Sequence, residues 1–472
     1  MALSAVETVV TPSTKVKGHV ARPARDSIKL STLEHSDGPS AAQIDNDIPQ
    51  YNSSPEKGLF TKTNLHFATL CWCLFLAGWN DGTIGPLLPR VQGVYDVNFT
   101  IVSLIFIFNT VGFVAASIAN VLLTDYFGFG VVLLLSTREP ARIVSNFLAQ
   151  VMVIGSLIQS TGYVLSAIAP PFPVFVLAYF LSGFGIALQD AGCSGYIAAV
   201  NDSTRMGIMH AIYGFGTFAS PLVSTQFAQL PRWSFHYLVS LGMSLVNIAM
   251  LSTVFRFRTQ EKCLEEIGHT IPPAPIANSS GSKYKQIFKR KDVHLLAFFI
   301  LVGVGVASTI GSWIVTYIID VRGGNSSSGY INSGLGAGIT LGRVALLWFN
   351  NKIGERRVIF IYNILVIGLL MVVWFVPSLI GNAIAISFVG FFSGPLYPIV
   401  MNHAGRIIPA WILTGCIAWI AGFGQAGSAL VPFIMGVLAS NTSIRSLQPF
   451  LVSLSTFMLF LWILVPNARR PD

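Results

Sequence analysis

The chain has 472 residues, of which 53% are hydrophobic and only 10% are charged. Soluble domains carry roughly 25% charged residues, so this composition excludes a soluble globular protein, whose surface would need more charge. The net charge of +9 would by itself suit a nucleic-acid partner, but the basic residues follow a membrane topology instead, and we expect no nucleic-acid partner.

Residues 1–64 are polar and rich in Ser, Pro and charge, a composition typical of a disordered segment. We expect a disordered cytoplasmic tail here. No cleavable signal peptide is recognisable, so the first apolar segment is expected to act as an internal signal-anchor helix.

Apolar runs long enough to cross a bilayer, about 20 residues, recur along the rest of the chain. They predict an all-α membrane protein with twelve transmembrane helices, at 65–89, 99–123, 151–168, 173–199, 208–229, 235–255, 294–319, 328–349, 357–375, 380–402, 411–438 and 448–465. A cytoplasmic linker at 256–293 divides them into two six-helix bundles, 65–255 and 294–465, and residues 466–472 form a second cytoplasmic tail.

The basic residues give the orientation, because Lys and Arg are enriched in cytoplasmic loops. With the N-terminus inside, the cytoplasmic segments hold 24 of the 29 basic residues and the outer loops hold four. This split predicts that both termini are cytoplasmic, and it explains the basic net charge.

The segment 131–150 does not fit this scheme, because Arg138, Glu139, Pro140 and Arg142 lie in its middle. Charges and a proline carry a high free-energy cost in a spanning helix. Without this insertion, Gly130 would run directly into Val151 and a normal third helix. We interpret the segment as translated intron, the alternative being a genuine cytoplasmic loop.

Two short turns suggest that the halves are related. Asp125-Tyr-Phe-Gly128 follows the second predicted helix, and Asn351-Lys-Ile-Gly354 follows the eighth. Each places a glycine three residues after a polar residue at an equivalent position of a six-plus-six arrangement, as in transporters built from repeated units. The alternative is two unrelated turns.

These turns, together with Gly342-Arg343 eight residues before Asn351, resemble the motifs of the major facilitator superfamily over residues 65–465. The resemblance implies two pseudo-symmetric six-helix bundles and a transporter that works by alternating access. It also implies that Asp125, Gly128, Arg343 and Gly354 belong to the family's structural motif.

A narrower resemblance is to the fucose–proton symporters and their fungal relatives. It is carried by Trp79-Asn80-Asp81-Gly82, by Gln189-Asp190-Ala191, by Met209-His210-Ala with Tyr213-Gly-Phe-Gly216, and by Gly394-Pro-Leu-Tyr-Pro398 and Gly422-Phe-Gly-Gln425. This resemblance implies a sugar-like solute and protons as the transported species.

Among twenty acidic residues, Asp81 and Asp190 alone fall well inside predicted helices. A carboxylate at bilayer depth costs roughly 2.5–3.5 kcal/mol on insertion scales and usually faces a cavity or a partner. Such an acid can load a proton on one side and release it on the other. We therefore predict that Asp81 and Asp190 couple transport to protons. Alternatively, both acids are satisfied by bonds between helices.

Asp81 is expected in a helix broken at Gly85-Pro86, near a midplane binding site. Arg343 is the one basic residue deep in a predicted helix, roughly 10 Å from its cytoplasmic end at 1.5 Å per residue. It could pair with an anionic substrate, but its spacing from Asn351 favours a structural role.

Further polar and aromatic side chains of the central helices could bind the solute, since sugars are held by a few polar groups in an apolar pocket. The candidates are Asn80, Gln189, His210, Tyr213, Trp313, Tyr397, Asn402 and Gln425. Each could equally be a packing residue within the bundle.

Neither metal-ligand spacing nor a phosphate-binding glycine loop nor an ATP-binding domain is recognisable. We therefore expect a protein that is not an enzyme and that needs no cofactor and no metal. The five cysteines are interpreted as small core residues.

The sequence thus favours proton-coupled symport of a small polar organic solute, such as a hexose, by a monomer in the lipid bilayer. A facilitator or drug-type exporter of the same fold, a non-transporting membrane sensor and a product inactivated by residues 131–150 are the alternatives. The triplets beginning at Asn98, Asn325 and Asn441 fit outer-loop glycosylation. We expect the plasma membrane, the alternative being a vacuolar or other internal membrane.

Overall fold

The computed structural model describes residues 57–134, 147–200, 202–256, 258, 260–268 and 287–466, all within the compact unit Pro55–Asp472. For a few helical stretches, notably 120–134 and 147–150, the description covers the backbone alone. Most of the expected N-terminal tail, the middle of the 131–150 insertion, the centre of the linker and the C-terminal tail lie outside the described residues.

Twelve long helices lie within the described residues and are numbered in chain order. They are α1 Lys57–Tyr95, α2 Leu104–Leu134, α3 Phe147–Ala167, α4 Phe172–Val200, α5 Ser203–Ala228, α6 His236–Phe255, α7 Lys291–Arg322, α8 Tyr330–Ala345, α9 Glu355–Phe375, α10 Leu379–Ile407, α11 Ala410–Asn441 and α12 Leu447–Leu464. The predicted all-α class is confirmed.

In the described part of the chain, eight of these helices are long and apolar enough by composition alone to cross a membrane. Four helices fall outside that group: the apolar part of α3 and the whole of α8 are short, and polar and small residues interrupt the apolar runs of α1 and α5. Large apolar side chains point outward around the bundle; Ile118, Ile380 and Trp348, for example, are 55%, 75% and 68% exposed. Lipid tails solvate such an apolar surface, so the chain is a multi-pass integral membrane protein.

Side chains at the helix ends satisfy backbone groups that have no partner inside the helix. Asp202 caps α5 by accepting a hydrogen bond from the Arg205 amide at 3.0 Å, and the Ser378 hydroxyl accepts one from the Gly381 amide at 3.1 Å at the start of α10. Gly323 ends α7 with a φ of +66°, a left-handed conformation that suits glycine. These caps fix where three of the helices begin or end.

The two halves repeat one packing pattern. In the first half α1 packs on α5, α2 on α4, and α3 on both α4 and α6. In the second half α7 packs on α11, α8 on α10, and α9 on both α10 and α12. The second set equals the first displaced by six helices, so the predicted pair of pseudo-symmetric six-helix bundles is confirmed.

Glycines permit the closest of these contacts. A Cβ added at Gly78 of α1 would lie 1.9 Å from the Tyr213 carbonyl oxygen of α5, and one at Gly427 of α11 would lie 2.1 Å from the Leu301 carbonyl oxygen of α7. Only glycine fits such distances, and small residues are the usual means of packing membrane helices this closely. The close approach thus falls on the equivalent helix pair in each half.

The halves meet through α1 against α7, α5 against α8, and α2 against α11. Gly85 of α1 packs against Gly311 and Asn332, where an added Cβ would lie 2.0 Å from the Gly311 carbonyl oxygen. Gln226 of α5 contacts the Tyr330 hydroxyl of α8. These residues lie towards the end of the bundle where α5 ends and α8 begins, which is the predicted outer side. The two halves are therefore in contact at that side.

Helices α1 and α10 differ from the expectation in whether they are interrupted. The predicted break of α1 at Gly85-Pro86 is wrong, because α1 continues through both Pro86 and Pro89 to Tyr95. Tight packing accounts for the glycine instead: a Cβ at Gly85 would lie 2.0 Å from the Gly311 carbonyl oxygen. Neighbouring helices support a proline inside a membrane helix.

The interruption falls in α10, between the helical segments Leu379–Ser393 and Leu396–Ile407. The sequence between them is Gly394-Pro395, and Pro398 follows one turn later. Because Pro398 has no N–H, the carbonyl of Gly394 loses the donor that a regular helix would supply. A free acceptor is thereby created in the middle of the second half.

The expected turn at Asp125–Gly128 is also wrong at the level of the backbone, since α2 continues as a helix to Leu134. The corresponding turn in the second half is present. Gly354 separates the short helix Leu347–Ile353 from α9, with φ +93° and ψ 137°, a conformation that L-residues with a side chain avoid.

Part of the linker packs against the first half. The short helix Gln260–Glu265 places Cys263 and Leu264 in a cluster with Phe255 and Tyr196. Burial raises the pKa of the Cys263 thiol to about 11, so the thiol stays protonated and unreactive. All five cysteines are free and buried, as the sequence predicted.

Candidate functional site

Asp81 lies near the middle of the long helix α1, yet its side chain is exposed. The hydroxyl of Tyr213, on α5, donates a hydrogen bond of 2.5 Å to Asp81 Oδ2. Farther along α1 towards the predicted outer side, Leu87, Leu88 and Val91 are fully buried. Asp81 is therefore reached from the opposite, predicted cytoplasmic, side.

Asp190 lies on α4 and is half-buried. It accepts no hydrogen bond and forms no ion pair with any residue that the structure describes. It is within electrostatic range of Asp81, and also of Tyr213 and Tyr397. The structure thus brings the two predicted acids together, one from α1 and one from α4.

Arg343 lies on α8 at the contact between the halves. Its Nη1 donates to the main-chain carbonyl of His210 on α5 at 3.0 Å, and its Nε donates to the carbonyl of Gly394 at 3.3 Å. The second acceptor is the carbonyl that Pro398 leaves without a helical donor. Arg343 therefore joins the two halves beside Tyr213 and Tyr397, rather than bonding to the Asn351 turn.

The remaining solute-binding candidates of the second half fall into two groups. Tyr397 is half-buried and lies within electrostatic range of Arg343 and Asp190, so it belongs to the same cluster. The side chains of Asn402 and Gln425 are exposed and make no hydrogen bond within the described residues. His210 is exposed too, and contributes its carbonyl to Arg343.

Trp313 is placed differently from the other candidates. Its side chain is 0% exposed, and its Nε1 donates to the Pro432 carbonyl at 2.9 Å. The edges of Phe99 and Phe106 pack against its ring. Trp313 thus packs α7 against α11 and α2, where no solute can contact it in this conformation.

Asn80 and Gln189 face the interior of the first half, and both are buried. They belong to a hydrogen-bonded chain with three residues that the sequence analysis did not single out, namely Gln159, Tyr163 and Asn247. One pattern could have revealed two of them. Gln159 and Tyr163 are one helical turn apart in α3, and so lie on one face.

The structural-motif residues lie apart from this cluster. Gly354 forms the turn before α9, and the next residue, Glu355, pairs with Arg406 at 3.1 Å. Asp125 and Gly128 lie in the part of α2 whose side chains are outside the description. Among the described residues, His, Cys, Asp and Glu form no group of three or more suited to a metal ion.

The side chains of this cluster can exchange protons and form hydrogen bonds with a solute. Two carboxyl groups can take up and release protons, since one of them is exposed and the other has no cation partner among the described residues. Around them, two tyrosine hydroxyls and a guanidinium group can donate hydrogen bonds to a solute. This set lies where the two halves meet, as in transporter folds made of repeated units.

The twelve-helix fold, built from two related six-helix halves, is that of a membrane transporter. The chain belongs to the Major Facilitator Superfamily, whose family model matches residues 141–409.

Three similar proteins agree with this assignment. Bypass of stop codon protein 6 of Saccharomyces cerevisiae is 24% identical over 425 residues, covering 84% of this chain and 82% of its own. The crystal structure of the nucleoside transporter NupG has a TM-score of 0.60 at 12% identity, covering 85% of this chain and 97% of NupG. A variant of the E. coli fucose:proton symporter FucP has a TM-score of 0.56 at 13% identity, covering 85% and 98%. At these identities the two structures show a shared fold.

Proposed function

We propose that this protein is a secondary active transporter that moves a small polar, sugar-like solute together with protons by alternating access. The observation that carries the proposal is the pair Asp81 and Asp190. Both acids lie at the centre of a membrane bundle, within range of each other, and neither forms an ion pair among the described residues. Acids in this position are expected to exchange protons, since a permanent charge there is costly.

The donors around the acids favour a hydroxyl-bearing solute. Tyr213, Tyr397 and Arg343 supply hydroxyl and guanidinium donors, and Asp81 supplies an acceptor that is exposed. A sugar, with several hydroxyl groups that both donate and accept, complements this mixture. That the same fold occurs in a fucose:proton symporter and a nucleoside transporter supports the substrate class.

The contacts between the halves support alternating access. The halves touch at the predicted outer side, and Asp81 is reached from the other side, so the conformation corresponds to an inward-facing state. Rocking of one half against the other about the site would expose it outward. We further propose that both termini are cytoplasmic, from the distribution of basic residues, and that the protein resides in the plasma membrane as a monomer.

The test is uptake of labelled hexoses and nucleosides by vesicles that contain the purified protein under an imposed pH gradient. Accumulation above equilibrium, abolished by a protonophore, supports symport. Equilibration without accumulation points to a facilitator, efflux of apolar drugs to an exporter, and binding without flux to a sensor. Each of these three results would overturn the proposed coupling.

The acids are tested with matched variants in the same vesicles. Asp81→Asn combined with Asp190→Asn should abolish pH-driven accumulation, because neither amide can carry a proton. Asp320→Asn is the control, since Asp320 is exposed at the end of α7. Unchanged pH-driven uptake by the double variant would rule out proton coupling through these acids.

A further inference from the structure

A small internal cavity lies between α1, α3 and α4. Its volume is about 10 Å³, which is room for about one water molecule. Asp190 lines it together with three polar neighbours, Gln159, Gln189 and Cys73. A water there would have two to four polar partners, as buried waters do.

A chain of hydrogen bonds runs past this cavity through the interior of the first half. Asn247 Nδ2 donates to Gln189 Oε1 at 2.6 Å, and Gln189 Nε2 donates to Gln159 Oε1 at 2.8 Å. Gln159 Nε2 donates in turn to the Tyr163 hydroxyl at 2.8 Å. The chain thus crosses from α6 through α4 to α3.

The same chain ends beside Asp81. The Tyr163 hydroxyl donates to Asn80 Oδ1 at 3.5 Å, and Asn80 directly precedes Asp81 on α1. Every donor in the chain therefore points towards Asn80. Aligned donors polarise one another and strengthen the chain.

The two acids consequently differ in their surroundings. Asp81 lies beside the end of the chain and accepts from the Tyr213 hydroxyl, whereas Asp190 receives no donor from the described residues. Gln159 is common to both surroundings: its amide nitrogen belongs to the chain, and its side chain lines the cavity beside Asp190. The other titratable groups that face Asp190 are Asp81, Tyr213, Tyr397, Cys73 and Cys193.

We propose that Gln159 is a positioning residue that couples the two acids: it orients the donor chain that ends beside Asp81 and holds one water molecule against Asp190. In this arrangement Asp81 is held by the Tyr213 hydroxyl, and Asp190, with water as its donor, is the acid that exchanges the transported proton. The water supplies Asp190 with the donor that no described side chain provides. This inference rests on the proposed proton coupling.

The second half supplies a matched control. A cavity of about 10 Å³ also lies between α7, α9, α10 and α12, lined by Asn363 and Ser455 among others. Asn363 Nδ2 donates to the Ser455 carbonyl at 2.9 Å. By the six-helix displacement α9 corresponds to α3, and Asn363 lines this cavity from α9 as Gln159 lines the first from α3, but no carboxyl group lines this cavity.

The experiment is a pH titration of the purified protein in lipid vesicles, followed by the infrared absorption of protonated carboxyl groups. Asp190→Asn and Asp81→Asn assign the two bands. In Gln159→Leu, the Asp190 band should persist to a pH about one unit higher, a tenfold change in proton binding, because the carboxylate loses its water. Asn363→Leu should leave both bands at their wild-type midpoints.

A second variant separates positioning from general damage to the bundle. Tyr163→Phe cuts the chain beyond Gln159 but leaves the cavity lining intact, so it should shift the Asp81 band and not the Asp190 band. The inference is overturned if Gln159→Leu leaves the Asp190 midpoint unchanged, or if Asn363→Leu shifts it equally. The titration is done without solute, so its outcome does not depend on the uptake assay. Absence of sugar accumulation in that assay would overturn the proposed symport but would not change the titration result.

Discussion

At the scale of single residues, the centre of this protein depends on how each carboxyl group is solvated. Asp81 is exposed and hydrogen-bonded to Tyr213, while Asp190 is half-buried and has no hydrogen-bond partner among the described residues. Two acids of similar chemistry thus occupy different surroundings a short distance apart. In other proteins, a difference in surroundings gives the two members of a carboxyl pair different roles.

Tyr213→Phe should lower proton-driven uptake about tenfold or more and change its pH profile. The variant removes the 2.5 Å hydrogen bond to Asp81, and a hydrogen bond to a charged group contributes roughly 1.5–3 kcal/mol. The measurement is initial uptake rate against pH in vesicles.

Tyr179→Phe is the matched control for this prediction. Tyr179 is a buried tyrosine of the same half, and its hydroxyl is hydrogen-bonded to that of Tyr237 at 2.7 Å rather than to a carboxylate. Its pH profile should equal that of the wild type. Identical profiles for Tyr213→Phe and Tyr179→Phe would contradict the role given to Tyr213.

The sequence predicts these residues unevenly, for a physical reason. A charge in an apolar helix is conspicuous, so Asp81 and Asp190 are found from sequence alone. Gln159 bonds to partners on α4 and on its own helix α3, and the Trp313 side chain points into the bundle from α7. The spacing of residues along the sequence predicts neither side-chain orientation. Polar residues in membrane helices can face a cavity or a neighbouring helix, and only the packing decides which.

At the scale of helices, proline and glycine act through their neighbours. The sequence predicted a break in α1 at Gly85-Pro86, yet the helix continues, and the break lies at Gly394-Pro395 in α10. Both segments contain the same residue types. The difference lies in the surroundings, because Gly85 fits against Gly311 of α7, whereas the freed Gly394 carbonyl receives a donor from Arg343.

Gly354→Ala should destabilise the protein by roughly 1–3 kcal/mol, the cost of holding a residue with a side chain in a sparsely populated backbone conformation. Gly354 has a φ of +93°, and an added Cβ would meet no atom within 4 Å, so the effect is one of backbone conformation alone. The measurement is the apparent unfolding temperature in detergent.

Gly368→Ala provides the comparison, because Gly368 lies inside α9 and an added Cβ there also has open space. Alanine favours a helix by up to about 1 kcal/mol over glycine, so this variant should be as stable as the wild type or more stable. Equal unfolding temperatures for the two variants would show that the turn imposes no requirement for glycine.

At the scale of the whole molecule, the conformation depends on the few polar contacts between the halves. Arg343 makes one of them, from Nη1 to the main-chain carbonyl of His210 on α5, while its bond to the Gly394 carbonyl stays within the second half. Apolar packing within each half is extensive and would be kept in either conformation. The polar contacts between the halves are therefore the ones that differ between the two states.

Arg343→Met should shift the protein further towards the inward-facing conformation. It removes the donor to His210, which joins the halves on the predicted cytoplasmic side, and a hydrogen bond from a charged group contributes roughly 1.5–3 kcal/mol. A loss of about 1.4 kcal/mol already changes the ratio of two states tenfold. Spin labels at exposed Leu230 and Ser326, on the predicted outer side of each half, should report a smaller population of long distances.

Arg406→Met is the control for the change of charge and shape. Arg406 pairs with Glu355 within the second half, so its loss leaves the contacts between the halves intact, and the distance distribution should match the wild type. If Arg343→Met also matches it, Arg343 does not bias the two states. Because a ligand shifts a conformational equilibrium only through its different affinity for the two states, a solute that binds at Tyr213 and Tyr397, beside Arg343, is well placed to act on this same contact.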